Sequence, residues 1–127
     1  MGQCPCGSGL GLSECCGQYM QGSTHAPGAE KLMRSRFSAY ALQNNAYLLQ
    51  TWHHTTRPET ISKNMDDSVQ WTRLRIIAAT DNTVEFIATY KINGKAHQLH
   101  EQSHFVKENG QWFYIDGEQY DKLLPSR

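Results

Sequence analysis

The architecture of this chain follows from residues 83–95, which are Thr83-Val84-Glu85-Phe86-Ile87-Ala88-Thr89-Tyr90-Lys91-Ile92-Asn93-Gly94-Lys95. Val84, Phe86 and Ala88 recur at every second position, a period typical of a strand with one buried face. Asn93-Gly94 is a strong hairpin signal, because a two-residue type I′ turn needs positive φ at both positions. The segment therefore predicts a β-strand that turns back into an antiparallel partner.

Further runs rich in strand-forming residues lie on both sides of this segment and are separated by very short turns. Asn109-Gly110 repeats the hairpin signal between the last two runs. The predicted strands are Thr72–Thr80, Thr83–Ile92, Ala96–Lys107 and Gln111–Gly117. Together they predict a four-stranded antiparallel meander.

Two helices are predicted before the strands. The longer one covers Ala29–Leu42, where apolar residues recur at helical spacing and form one stripe. That stripe consists of Met33, Phe37, Tyr40 and Ala41. Asn44-Asn45 ends this helix, and a shorter helix is expected over Ala46–Trp52. Two helices followed by an antiparallel sheet predict an α+β domain with the helices on one face of the sheet.

The hairpin loops also predict which side chains share a face of the sheet. A two-residue loop at Asn93-Gly94 places Phe86 opposite Glu101, and directly opposed residues point to the same side. A similar loop at Asn109-Gly110 places Phe105 opposite Tyr114 and Ser103 opposite Asp116. The helix-covered face is thus expected to carry Glu101, Ser103, Tyr114 and Asp116. A one-residue bulge would reverse part of this assignment.

A carboxylate on a covered face needs a partner or a water-filled pocket, because burying an unpaired charge is costly. One interpretation pairs Glu101 with Arg34 or Arg36 of the first helix in a salt bridge. The other makes Glu101 or Asp116 a general acid/base in a pocket, with Tyr114 as a hydrogen-bond donor. The candidate ligand-binding residues of such a pocket are Arg34, Tyr90, Ser103 and Trp112.

The four cysteines of the chain all lie near its start, at Cys4, Cys6, Cys15 and Cys16. Clustered thiols of this kind, with no other cysteine in the chain, favour one structural zinc site with a closed Cys₄ ligand set. A redox pair and cysteines without a function are the alternatives. We expect residues 1–21 to form the zinc-binding module, residues 22–28 a linker, and residues 29–127 the α+β domain.

The pattern Cys-x-Cys-x₈-Cys-Cys, with Gly-Ser-Gly after the second cysteine, resembles the SEC-C zinc motif found at the tail of the SecA translocation ATPase. The last ligand of that tail is usually His, whereas Cys16 stands there in this chain. Four further segments resemble the YchJ-like bacterial family, namely residues 32–40, 51–53, 99–101 and 112–117. The resemblance implies an NTF2-like, cystatin-like cone of helices on a curved antiparallel sheet, and bound zinc, but no reaction.

Composition limits the classes of partner. Twelve basic and twelve acidic residues give a formal net charge of zero, so the electrostatic footprint of nucleic-acid binding is missing. No apolar stretch approaches the roughly 20 residues of a membrane span, and no signal segment is recognised. We expect a cytoplasmic protein. The other sheet face is not expected to be fully exposed, because it carries apolar residues, namely Ile87, Val106, Phe113 and Ile115. The resemblance to NTF2-like proteins implies a homodimer through this face.

Three functions remain open from the sequence. The first is an interaction or ligand-binding protein in which the zinc module presents a surface and the α+β domain holds a protein partner or a small ligand. The second is a small-molecule enzyme that uses an acidic residue of the pocket as its general acid/base. The third is a structural subunit. We favour the first, because a closed zinc site organises a surface rather than a reaction.

Overall fold

The computed structural model describes residues 3–22, 24–59 and 69–119. Its strands form one four-stranded antiparallel sheet in the order β1-β2-β3-β4. The strands are β1 Val69–Ala79, β2 Thr83–Ile92, β3 Lys95–Glu108 and β4 Gln111–Gln119. The helices are α1 Cys16–Met20, α2 Ala29–Leu42 and α3 Asn45–Gln50, with a 3₁₀ turn at Leu12–Glu14. The predicted α+β architecture is confirmed.

Both predicted hairpin loops are present, and their backbone angles explain the choice of residues. Asn93 and Gly94 have φ of 54° and 80°, and Asn109 and Gly110 have φ of 52° and 79°. These are left-handed values that glycine and asparagine tolerate better than other residues. The chain therefore reverses direction twice without additional loop residues.

The register of the first hairpin agrees with the prediction, and that of the second agrees only in part. Phe86 pairs with Glu101 across β2 and β3, and Phe105 pairs with Tyr114 across β3 and β4. The β3–β4 ladder then shifts between His104 and Phe105, so Ser103 lies opposite Gly117 and not opposite Asp116. The predicted position of Asp116 is wrong because a bulge moves one strand by one residue relative to the other.

Helix α2 has the predicted bounds and ends where the sequence indicates. Gln43 takes a left-handed conformation with φ of 61°, and the next residue begins the cap of α3. The Asn44 side chain accepts a hydrogen bond from the Tyr47 backbone N–H at 3.1 Å, which satisfies a free donor of the first turn. The two helices are thereby joined through a short corner.

The buried core lies between the helices and the inner face of the sheet, the face that carries Val84, Phe86 and Ala88. Helix α2 contributes Leu32 and Phe37 to this core. It also buries polar groups, namely Ser35, Arg36 and Ser38. The four cysteines belong to the same continuous buried cluster, so the N-terminal loop packs directly on the α+β body.

None of the helices in the described ranges is long and apolar enough to cross a lipid bilayer. The predicted extents of the zinc module, the linker and the α+β domain remain predictions, because residues 1, 2, 23, 60–68 and 120–127 lie outside those ranges.

Candidate metal centre and inner cavity

Local turns bring the four cysteines together. The Cys4 backbone N–H donates to the Leu10 carbonyl at 2.8 Å and closes the first loop. Gly7 and Gly9 lie inside this loop with φ of 85° and 89°, values that a residue with a Cβ atom adopts only with strain. The 3₁₀ turn and the start of α1 then return the chain with two consecutive cysteines.

The sulfur atoms have the spacing of a tetrahedral site. All four Sγ atoms lie within 4.8 Å of one another. The Cys6 and Cys15 sulfurs are 3.6 Å apart, and the Cys15 and Cys16 sulfurs are 3.9 Å apart. Ligands at the usual Zn–S distance of about 2.3 Å in a tetrahedron are about 3.8 Å from each other. The donor set and its geometry therefore fit zinc, and the ligands would be Cys4, Cys6, Cys15 and Cys16.

The thiols constrain one another's protonation. Hydrogen bonding from Cys16 lowers the pKa of Cys6 to about 4. The same hydrogen bond raises the pKa of Cys16, and burial raises the pKa of Cys15. Among these buried groups one thiolate thus forms at the expense of its neighbours, and a divalent cation is what would allow all four to be ionised together.

Side chains of α2 support this loop from the body of the protein. The Ser38 hydroxyl lies 3.3 Å from the Cys4 sulfur. Arg34 donates from its guanidinium to the Cys6 carbonyl at 3.2 Å and pairs with Glu30 at 3.1 Å. Arg34, predicted as a ligand-binding residue of the pocket, thus contacts the loop that carries the cysteines, because its face of α2 points to that loop.

A cavity of about 230 Å³ lies between α2 and the inner face of the sheet. Its apolar walls are formed by Met33, Phe37, Tyr40, Trp71, Phe86, Ala88 and Leu99. Its polar groups are Arg36, Glu101, Ser103 and Tyr114. Three of these four polar residues were expected on this face from the hairpin register, and the structure brings them together.

Arg36 is the fourth polar residue and is 3% exposed. Its guanidinium donates to the Leu48 carbonyl at 2.8 Å and to the Thr51 hydroxyl at 2.7 Å. It also lies over two aromatic rings, 4.6 Å from the Tyr114 centroid and 5.2 Å from the Trp52 centroid. The sequence predicted Arg36 only as a salt-bridge partner of Glu101, because helical periodicity does not show that an arginine points inward.

The other polar groups form a short network. The Ser103 hydroxyl donates to the Glu101 carboxylate at 3.2 Å. Burial raises the pKa of Tyr114, and the nearby Glu101 carboxylate adds to the effect. The phenol therefore keeps its proton at neutral pH and remains a hydrogen-bond donor. The Glu101 carboxylate occupies the space beside Gly117 that a side chain would otherwise fill.

The remaining candidate residues lie outside the cavity wall. Asp116 is opposite His104, and their side chains approach to 3.0 Å, with the Asp116 side chain 63% exposed. Tyr90 stacks on His97 at a centroid distance of 5.3 Å and contacts Trp71 at the cavity rim. Trp112 lines a separate space of about 20 Å³. Asp116 is thus not positioned to act as the pocket base.

Comparison with known proteins agrees with this architecture. The family model for the YchJ middle, NTF2-like domain matches residues 28–117. The chain belongs to the YchJ-like family. A UPF0225 protein of Bordetella pertussis is 47% identical over 122 residues, which is 91% of each chain. A UPF0225 protein of Chromobacterium violaceum is 44% identical over 123 residues, 90% of each chain.

Two solved structures resemble this YchJ-like chain along most of its length. The solution structure of RPA3114, a SEC-C motif containing protein from Rhodopseudomonas palustris, has a TM-score of 0.81 at 32% identity. The match covers 91% of this chain and 96% of that one. A SEC-C motif containing protein from Psychrobacter arcticus has a TM-score of 0.74 at 27% identity, with 89% and 80% covered. The predicted combination of a SEC-C motif with an NTF2-like domain is confirmed.

Proposed function

We propose that this chain is a zinc-stabilised binding protein whose NTF2-like domain holds a small ligand in its inner cavity. The observation that carries the proposal is the cavity of about 230 Å³, with apolar walls and four convergent polar side chains. A well-formed apolar pocket with a few polar groups is the usual form of a small-molecule site. Side chains that served only to pack a core would be expected to fill a space of this size, because protein interiors contain few voids larger than a water molecule.

The cavity restricts the size and chemistry of the ligand. Its volume lies below the roughly 300–1,000 Å³ typical of sites for drug-sized molecules, so the ligand is expected to be a small metabolite or one side chain of a protein partner. Phe37, Tyr40 and Trp71 offer aromatic surface. Tyr114 offers a donor and Glu101 an acceptor, so the ligand should be mainly apolar with one polar group.

Zinc is proposed to hold the N-terminal loop in place rather than to catalyse. Four thiolate ligands complete a tetrahedral shell and leave no open position for substrate. The names of the structural neighbours refer to the same SEC-C motif. Cysteines that stay unpaired as metal ligands suit a reducing compartment, so the cytoplasm is the proposed location.

A series of three small probes tests the binding proposal. Benzyl alcohol, benzoic acid and benzylamine share one aromatic ring and differ in their polar group. Changes in the protein's NMR chemical shifts would therefore show which polar group the cavity binds. We expect at least one probe to shift the resonances of Trp71 and Ser103. Ala88→Leu and Leu99→Trp should fill the cavity and abolish binding. Ala96→Leu is the control, because Ala96 is exposed on β3.

The proposal would be contradicted if none of the three probes shifted cavity resonances. Binding that persisted in both filled variants would also contradict it, because the probe would then sit elsewhere. Both filled variants must first show the dispersed amide spectrum and thermal unfolding of a folded chain. Two variants at different walls keep the test valid when one of them unfolds.

The position of Glu101 favours a second candidate function, a small-molecule enzyme. Its carboxylate and the Tyr114 hydroxyl line one cavity, which would suit a general acid/base next to a hydrogen-bond donor. Once a ligand is known, Glu101→Gln separates the two functions. An enzyme should lose turnover while ligand affinity changes little, whereas a binding protein has no turnover to lose.

The predicted homodimer remains a proposal for the outer sheet face. Ile87, Val106, Phe113 and Ile115 are half-buried there, and Ile77 is 41% exposed. Sedimentation of the wild type and of Ile77→Lys would test it, since a charge on this face should shift a dimer toward monomer. A wild-type chain that sediments as a monomer at high concentration would end the proposal.

A further inference from the structure

We propose that His53, His54 and Glu108 form a second metal site, for zinc or a similar divalent transition ion. The site shares no ligand with the four cysteines. Its donors are two imidazole nitrogens and one carboxylate, so its chemistry differs from that of the thiolate site.

The fold brings these distant parts of the chain together. Trp52 forms an isolated parallel bridge with Tyr114, and the His53 backbone N–H donates to the Tyr114 carbonyl at 2.8 Å. The segment after α3 is therefore fixed to β4. Glu108 is the last residue of β3, just before the hairpin turn that starts β4. The hairpin thus sets Glu108 beside the two histidines.

The donor atoms converge. The His53 Nε2 lies 2.7 Å from one Glu108 carboxylate oxygen, and the His54 Nε2 lies 3.8 Å from the other. The two imidazole rings are stacked, with centroids 4.3 Å apart and planes inclined by 30°. One ligand atom from each residue lies within 4.8 Å of the others.

Little movement is needed to admit an ion. Metal–nitrogen and metal–oxygen bonds of about 2.0–2.2 Å place neighbouring ligand atoms about 3.0–3.5 Å apart. The His53–Glu108 contact would open slightly, and the His54–Glu108 contact would close slightly. The His54 and Glu108 side chains are 66% and 42% exposed, so both have room to adjust.

His53 is the anchored ligand of the three. Its side chain is 7% exposed, and its Nδ1 lies 2.6 Å from the Thr55 hydroxyl oxygen. The Thr55 backbone N–H also donates to this Nδ1 at 3.3 Å, and the two contacts fix the ring with its Nε2 facing the Glu108 carboxylate. A metal ion at Nε2 would take the place of the proton held there. Hydrogen bonds at the second nitrogen commonly orient metal-binding histidines.

The ligand set indicates which ion binds and how. Imidazole with carboxylate suits Zn²⁺ and neighbouring first-row ions, whereas four thiolates favour Zn²⁺ and softer ions such as Cu⁺. Three protein ligands leave a coordination position for water, in contrast to the closed cysteine set. The site is also half open to solvent, so a bound ion would be accessible to exchange and to small anions.

Calorimetric titration of Zn²⁺ into the full chain, loaded beforehand with one zinc per molecule, tests the proposal. We expect the wild type to bind a second equivalent. His54→Ala and Glu108→Gln should weaken that equivalent by roughly tenfold or more. His104→Ala is the matched control, because His104 is also partly exposed and lies 3.0 Å from an acidic side chain, that of Asp116.

Spectroscopy assigns each equivalent. In cobalt-substituted protein, the thiolate-to-cobalt charge-transfer absorbance of the cysteine site should be the same in all four proteins. In the wild type, the second zinc equivalent should shift the imidazole resonances of His53 and His54 but not those of His104.

Two results would overturn the proposal. One is a wild type that takes up no second equivalent, which would leave His53 and Glu108 as a hydrogen-bonded pair without a metal ion. The other is a second equivalent of unchanged affinity in both His54→Ala and Glu108→Gln. His53→Ala is not used, because removing a buried side chain would confuse ligand loss with unfolding.

Discussion

The guanidinium carbon of Arg36 lies 4.6 Å from the centroid of the Tyr114 ring. Helix α2 and strand β4 thus meet through a buried cation and an aromatic face. Burial lowers the pKa of Arg36 from its usual value, but an arginine starts so high that it remains charged at neutral pH. The charge is stabilised by the ring and by the oxygen acceptors of Leu48 and Thr51.

Replacing Arg36 by Met should destabilise the chain by about 1–3 kcal/mol. The substitution keeps an unbranched side chain but leaves the Leu48 carbonyl and the Thr51 hydroxyl without their charged donor. Urea unfolding should show a lower midpoint with an unchanged slope. Arg75→Met is the control, since Arg75 is exposed on β1. Equal midpoints for the two variants would contradict this role of Arg36.

Replacing Ser38 by Ala should weaken zinc binding roughly tenfold, because the hydroxyl that contacts the Cys4 sulfur is lost. Chelator competition measures the change. Ser35→Ala is a matched control on the same helix, since Ser35 is equally buried but bonds to Leu32 and Tyr47. If the two variants released zinc equally, the Ser38 hydroxyl would have no specific role at the metal.

Gly17→Ala should disturb the loop that carries the four cysteines more than Gly11→Ala does. A Cβ atom at position 17 would lie 2.7 Å from the Leu12 carbonyl oxygen, which accepts the Cys15 backbone N–H. The backbone would have to shift and move Cys15. At position 11 a Cβ atom meets nothing within 4 Å. Elemental analysis should find less zinc per chain for Gly17→Ala, and equal zinc contents would refute the steric explanation.

Gly117→Ala should displace the Glu101 carboxylate, because a Cβ atom at position 117 would overlap it. We expect a loss of about 1 kcal/mol in the free energy of unfolding, as for other small overpacking changes. A double-mutant cycle checks the cause, since the same substitution in a Glu101→Ala background should cost much less. Additive effects would show that the two positions do not compete for space.

The fold was predictable because local signals and the global pattern agree. Residues 83–95 alone predict a strand, a two-residue loop and a register, and the observed pairing of Ile92 with Lys95 follows directly. The bounds of α2 were equally clear, because Gly28 precedes them and the Asn44-Asn45 pair follows. Neither prediction needed knowledge of distant contacts.

The candidate site was only partly predictable. Glu101, Ser103 and Tyr114 were found because an alternating strand pattern propagates through a hairpin. The predicted register position of Asp116 was wrong, because no residue of the β3–β4 hairpin indicates the bulge between His104 and Phe105. The sequence did not distinguish Arg34 from Arg36 as the partner of Glu101. The packing of α2 places Arg34 against the loop that carries the cysteines and Arg36 against the cavity.

Helix α2 has one further consequence. Ser38 and Arg34 contact the cysteine loop, while Met33, Arg36 and Phe37 form part of the cavity wall. A rigid helix cannot rotate for one neighbour without rotating for the other. A change in the packing of the cysteine loop would therefore reach the cavity wall across a single helix diameter.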